Sequence, residues 1–143
     1  MRIVVITLCL LGALGFSSNT AASGVYVAVN APAGSLIDTV SLQALLTGQQ
    51  RNWDDGNAAK VILPSRRSSN FDSIAQELFG TSGRVMQRLW FRLVFSGRAN
   101  APDYVDSAEE VVSAVQRERG ALGIFIADSA PPEGNGIKIV KLK

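Results

Sequence analysis

Apolar residues recur along this chain with two different periods. Residues 25–30, Val-Tyr-Val-Ala-Val-Asn, form a short β-branched run followed by Ala-Pro-Ala-Gly. This predicts a buried strand and then a turn. Residues 60–63, closed by Pro64, predict a second strand. The run Ala121-Leu122-Gly123-Ile124-Phe125-Ile126 shows no polar alternation, as expected of a strand covered on both faces. Residues 137–142 alternate apolar with basic, the pattern of an edge strand blunted by lysine. Between these runs the period lengthens. Ser41 is positioned to cap a short helix through Leu42, Leu45 and Leu46, which Gly48 stops. Phe71, Ile74, Ala75, Leu78 and Phe79 make one apolar stripe, with Ser69 or Asn70 as the expected cap and Gly80 as the stop. Met86, Leu89, Trp90, Leu93 and Val94 repeat the spacing before Ser96-Gly97. A fourth helix begins at Ser107, with Glu109 and Glu110 against its positive N-terminal end and Ala108, Val111, Val112 and Val115 as its stripe. Strands and helices interleave, which predicts α/β layers with a small mixed sheet flanked by helices. No repeat or linker divides them, so residues 23–143 are expected to form one domain.

The first 22 residues follow a different rule. Arg2 gives a positive start, residues 3–16 are almost wholly apolar, and Ser17, Ser18, Asn19, Thr20, Ala21 and Ala22 are small or polar. That order predicts a secretory signal peptide over residues 1–22, cut after Ala22, and a periplasmic product. An apolar run of about 14 residues falls short of the ~20 that a spanning helix needs, so no stable membrane anchor is expected after cleavage. Cys9, the single cysteine, lies inside the apolar run and is preceded by Leu8, which is not the small residue of a lipoprotein signal. The mature chain would then have no thiol, no disulfide and no cysteine metal site. The sequence also has no histidine, which removes Ser-His-Asp and Cys-His catalysis and histidine zinc sites. No metal or cofactor is expected, and an enzyme is disfavoured because no general base working near neutral pH is identifiable.

Composition narrows the class further. The chain of 143 residues is 47% hydrophobic and 18% charged, which is globular in kind. Its 14 basic and 12 acidic side chains nearly cancel, so nucleic acid is not an expected partner.

The candidate chemistry sits where the second strand gives way to a helix. The sequence Pro64-Ser65-Arg66-Arg67-Ser68-Ser69-Asn70-Phe71 leads into a helix start, whose first N–H groups lack intrahelical acceptors and whose dipole is positive. The hydroxyls of Ser68 and Ser69, the amide of Asn70 and the guanidinium of Arg66 or Arg67 would add donors matched to an oxyanion edge. The same residues also make an ordinary N-cap loop with two solvated arginines, the commoner arrangement from local sequence alone. Arg84, Arg88 and Arg92, at i, i+4 and i+8 with Arg98 nearby, fit either a patch for an acidic partner or, more commonly, a solvated helix face. Trp53 and Trp90 read as core at their apolar spacing rather than as ligand-stacking rings. Asp54 and Asp55 match neither a calcium loop nor an acid/base pair.

The ordered pieces carry a resemblance. Leu45-Leu46-Thr47-Gly48, Arg51-Asn52-Trp53-Asp54-Asp55-Gly56, the Arg66 to Phe71 segment, Trp90 with Phe95-Ser96-Gly97, and Gly120-Ala121-Leu122-Gly123-Ile124 together resemble the phosphate-binding subunits of ABC importers. These belong to the type II periplasmic binding protein superfamily. The resemblance spans about residues 25–126 and implies one lobe of that fold. It also implies phosphate as the ligand, held at Arg66, Arg67, Ser68, Ser69 and Asn70.

Two departures qualify what is implied. The family's Ser-Gly-Thr would fall on Ser68-Ser69-Asn70, so a serine stands where glycine lets the backbone approach the anion. The family also binds in a cleft between two lobes, and this chain has room for one. Two functions are therefore expected to compete: a binder of phosphate or a similar oxyanion, and an interaction module of the cell envelope that keeps the scaffold without the ligand, docking to another envelope protein or to itself.

Overall fold

The computed structural model describes residues 23–31, 37–134 and 136–142. The expected signal peptide, with Cys9, lies outside the described residues. The elements run β1 (Gly24–Val29), α1 (Thr39–Leu46), β2 (Lys60–Pro64), α2 (Ser69–Phe79), α3 (Gly83–Phe95), β3 (Asp103–Val105), α4 (Ala108–Arg117), β4 (Ala121–Ala127) and β5 (Lys138–Lys141). The strands form one sheet in the order β3-β2-β4-β1-β5. β2 pairs in parallel with β3 and β4, whereas β1 pairs antiparallel with β4 and β5. The sheet is mixed, as the sequence predicts, and β5 is an edge.

Helices cover both faces, so the inner strands are apolar on both sides. Val25, Val27 and Val29 of β1 turn towards α1, α2 and α3, together with Leu63, Leu122 and Ile124. Tyr26 and Ala28 turn the other way, against Val111 and Val115 of α4. Tyr26 and Phe125 stack there at 5.8 Å between ring centroids. α4 lies so close to β4 that a β-carbon on Gly123 would collide with the methyl groups of Val111 and Val115. Both tryptophans are buried, and the Trp53 indole N–H donates to the Gly120 carbonyl at 2.8 Å. Gly120 has φ of 84°, and a β-carbon there would meet the Ala58 carbonyl, so only glycine fits.

Three local expectations change. α1 is capped by Asp38, whose carboxylate accepts from Ser41 N–H at 2.7 Å, so Ser41 lies inside the helix rather than at its start. α2 is capped by Ser68, one residue before Ser69 and two before Asn70. β3 is an additional strand. Its three residues are too few to show a period, and it exists because it pairs with β2 about 40 positions earlier.

Candidate functional site

β2 delivers the chain to the site. Pro64 is its last residue, and the ladder continues one step further, with Ser65 N–H donating to the Val105 carbonyl at 2.8 Å. A tight turn over Arg66 and Arg67 follows, closed by Ser68 N–H on the Ser65 carbonyl at 2.9 Å. Ser68 has extended backbone angles, and its hydroxyl accepts from Phe71 N–H at 3.4 Å. Phe71 is buried and anchors the first turn of α2 in the core, with its ring edge-on to Tyr104 at 6.1 Å.

The start of α3 lies against the start of α2. Gly83 N–H donates to Asp72 Oδ1 at 2.7 Å, tying the two first turns together. A β-carbon on Gly83 would press on that oxygen and on the Phe71 ring, so glycine permits the close approach. Between the two helix starts is an open cleft of about 570 Å³, lined by Arg66, Phe71, Asp72, Ser82, Arg84 and Gln87 with Gly83 at its base. Arg66, Arg84 and residues of the first turns of α2 and α3 therefore border a common space, which Arg67, Ser68, Ser69 and Asn70 do not line. Asp72 is the one carboxylate lining it. Among the described residues neither arginine has a carboxylate within ion-pair distance.

The five residues singled out in the sequence are distributed unevenly. Arg66 lines the cleft, and its guanidinium lies 4.9 Å from the Tyr104 ring centroid and 6.0 Å from that of Phe91. Burial raises the Tyr104 pKa, an effect that the Arg66 charge opposes. Ser68 is committed as the cap, though its own O–H proton is still available to donate. Arg67, Ser69 and Asn70 are exposed at the start of α2. The backbone N–H groups of Ser69 and Asn70 find no protein acceptor among the described residues. Sequence reasoning missed Asp72, Ser82 and Gly83 as site residues and placed Arg84 only on a helix face. The serine before Gly83 was a readable cap signal, but the Asp72 contact spans 11 positions and leaves no local trace. No group of three or more metal-ligating side chains occurs among the described residues.

Among the described residues, a five-strand mixed sheet with four helices in this order resembles about half of the fold of solved phosphate transport receptors. Solved structures show the likeness directly. An ABC-type phosphate transport receptor from Vibrio cholerae superposes with a TM-score of 0.59 at 18% identity, over 86% of this chain and 48% of that one. A Clostridium perfringens protein described as a phosphate ABC transporter substrate-binding protein, solved with bound phosphate, gives 0.56 at 14% identity, over 84% and 45%. PstS from Borrelia burgdorferi gives 0.55 at 14%, over 84% and 47%. The chain thus spans about half the length of the structures it matches. No protein-family model and no curated protein matches the sequence.

Proposed function

We propose that this protein is an exported binder of phosphate or a similar small oxyanion, acting as a binder and not as a catalyst. The observation that carries the reading is the convergence of Arg66 and Arg84, free of ion pairs among the described residues, on the paired starts of α2 and α3. Arg66 and Arg67, with Ser68, Ser69 and Asn70, would supply charged and neutral donors to the anion from the α2 side. Each charge-assisted bond is worth about 1.5–3 kcal/mol. The likeness to phosphate receptors supports phosphate as the first ligand to try. Residues 1–22 would be removed as a signal peptide and the product would be periplasmic; no helix among the described residues is long and apolar enough to cross a membrane. Intact-mass measurement of the exported protein checks the cleavage, and full-length protein confined to the membrane fraction would contradict it.

Isothermal titration of the mature protein with phosphate tests the ligand. Because one lobe supplies half of the contacts of a two-lobed cleft and Ser69 replaces a glycine, binding should be no tighter than about micromolar. The double change Arg66→Ala, Arg67→Ala should weaken it at least tenfold, since ~1.4 kcal/mol is one decade. Nanomolar affinity from a monomer would refute the one-lobe argument. A well-folded protein without saturable binding at millimolar phosphate would shift the reading to an envelope interaction module on the same scaffold. One contact favours that second reading: Asp72 already occupies an α3 N–H that an anion would use.

A further inference from the structure

The outward face of α3 has a composition that the oxyanion cleft does not explain. Arg84, Arg88, Phe91, Arg92 and Phe95 fall at i, i+4, i+7, i+8 and i+11, a single helical stripe, while Met86, Trp90 and Leu93 are buried on the opposite side. Phe91 is 47% exposed and Phe95 86% exposed, their rings 6.3 Å apart. Beside them a groove of about 270 Å³ runs between the end of α3 and β3, lined chiefly by Trp90, Phe91, Val94, Phe95, Pro102 and Tyr104. The Arg66 guanidinium, held over Tyr104 and Phe91, closes one end. An apolar groove of this size suits a hydrophobic side chain and not a phosphate.

The charge of the segment that carries α2 and α3 is one-sided. Residues 61–102 contain six arginines and no lysine, against Asp72 and Glu77 alone, and Asp72 is bonded to Gly83 N–H. The rest of the sequence carries eight basic and ten acidic side chains, so the excess positive charge of the chain is concentrated here. Aromatic residues and arginine together are the composition of interface hot spots. Arginine further offers a planar fork that matches a carboxylate edge.

We propose that the outer face of α3, with Arg88, Arg92, Phe91 and Phe95 on its exposed stripe and the groove bordered by Arg66 beside it, docks an acidic segment of another protein that inserts one aromatic or branched aliphatic side chain. The positive rim selects the acidic partner, and the groove selects the anchor. A bilayer surface fits less well, because the apolar element is a concave slot and not a protruding wedge. A second copy is the other outcome of the test. Asp103, Glu118, Asp38 and Glu110 are already engaged, whereas the carboxylates of Asp54, Asp106, Glu109 and Asp128 accept no bond among the described residues. Arg66 borders both sites, but Arg88, Arg92 and Phe95 lie outside the oxyanion cleft, so substitutions there test the docking face separately.

Random dodecapeptides displayed on phage and panned against the whole protein test it. Enriched peptides should be net negative with an aromatic, leucine or isoleucine side chain. Their affinity, measured by fluorescence anisotropy on synthetic copies, should fall at least tenfold with Phe95→Ser and with Arg88→Glu. It should also fall steeply with salt, and the phosphate titration should stay as in the parent. Both substitutions are at exposed positions, so circular dichroism and Tm should not change. No enrichment, enrichment of neutral or basic peptides, or indifference to both substitutions overturns the proposal. Binding to vesicles of phosphatidylcholine and phosphatidylglycerol through these same residues would assign the face to a membrane instead. A concentration-dependent dimer lost in both variants would assign it to a second copy.

Discussion

Around α4 several charged groups are used locally. Lys60 bridges Asp103 at 2.9 Å and Glu118 at 2.8 Å. At the start of α4, Ser107 accepts from Glu110 N–H while Glu110 accepts from Asp106 N–H, a reciprocal cap. Around α2 and α3 the opposite holds. Arg66, Arg67, Arg84, Arg88, Arg92 and Arg98 have no ion-pair partner among the described residues. Both regions fold onto the same sheet with equally apolar inner faces. Stability therefore does not require the arginines, and their mutual repulsion opposes it slightly. Charges that a fold has already paired hold an edge or a helix end in place, whereas charges left open are available to something that arrives from outside.

The comparison can be broken first through packing. Gly123→Val places methyl groups where Val111 and Val115 already sit, and should lower unfolding free energy by about 1–3 kcal/mol. Denaturant melts would show it, with phosphate affinity unchanged in the remaining folded protein. An unchanged melt would mean that α4 is not seated on β4 as described. The two serine caps sharpen the contrast. Ser107→Ala and Ser68→Ala should each cost about 0.5–2 kcal/mol of stability. Only Ser68→Ala should also weaken phosphate binding, because the Ser68 O–H can still donate to an anion while its oxygen caps α2. Equal titrations for both would remove Ser68 from the site. Asp72→Asn keeps an acceptor for Gly83 N–H while deleting the one negative charge in the cleft. It should tighten phosphate binding about two- to fivefold, a gain of under ~1 kcal/mol typical of half-exposed charges. Weaker binding would mean that Asp72 helps to hold the ligand.

The smallest effect concerns Lys60. Its hydrogen bonds to Glu118 and then Asp103 raise its pKa above the ordinary lysine value. A raised folded pKa contributes stability that is present in full below the ordinary lysine value of 10.5 and is lost as pH rises through the folded one. The groups are largely solvated, so Lys60→Met should cost only about 0.2–1 kcal/mol near neutral pH. The difference from the parent should shrink in strong salt and as pH rises through the raised folded value, readable in paired thermal melts.

Much of the fold was legible because its signals are local. The unbroken run from Ala121 to Ile126 named a strand covered on both faces, and Gly80 and Ser107 marked helix ends where they occur. The caps at Asp38 and Ser68 were misjudged by one to three residues because several polar residues in a row offer competing starts. β3 was hidden because Asp-Tyr-Val becomes a strand only through β2. For the site, the turn at Arg66 and Arg67 announced itself by composition. The contribution of α3 did not, since it depends on the Asp72 to Gly83 contact between two separate helices.

The position of β1 also governs when this chain can finish folding. β1 has no partner near it in sequence: Gly24 pairs with Ala127 and Tyr26 with Lys141, each more than about a hundred positions away. Closing so long a loop costs entropy before any contact repays it, so this strand should dock late, on the slow side for a domain of this size. Until then Val25, Tyr26, Val27, Ala28 and Val29 form an open, sticky segment. If the chain crosses a membrane as proposed, the delay keeps it threadable during transit, and it makes those five residues the ones a holding chaperone would find first.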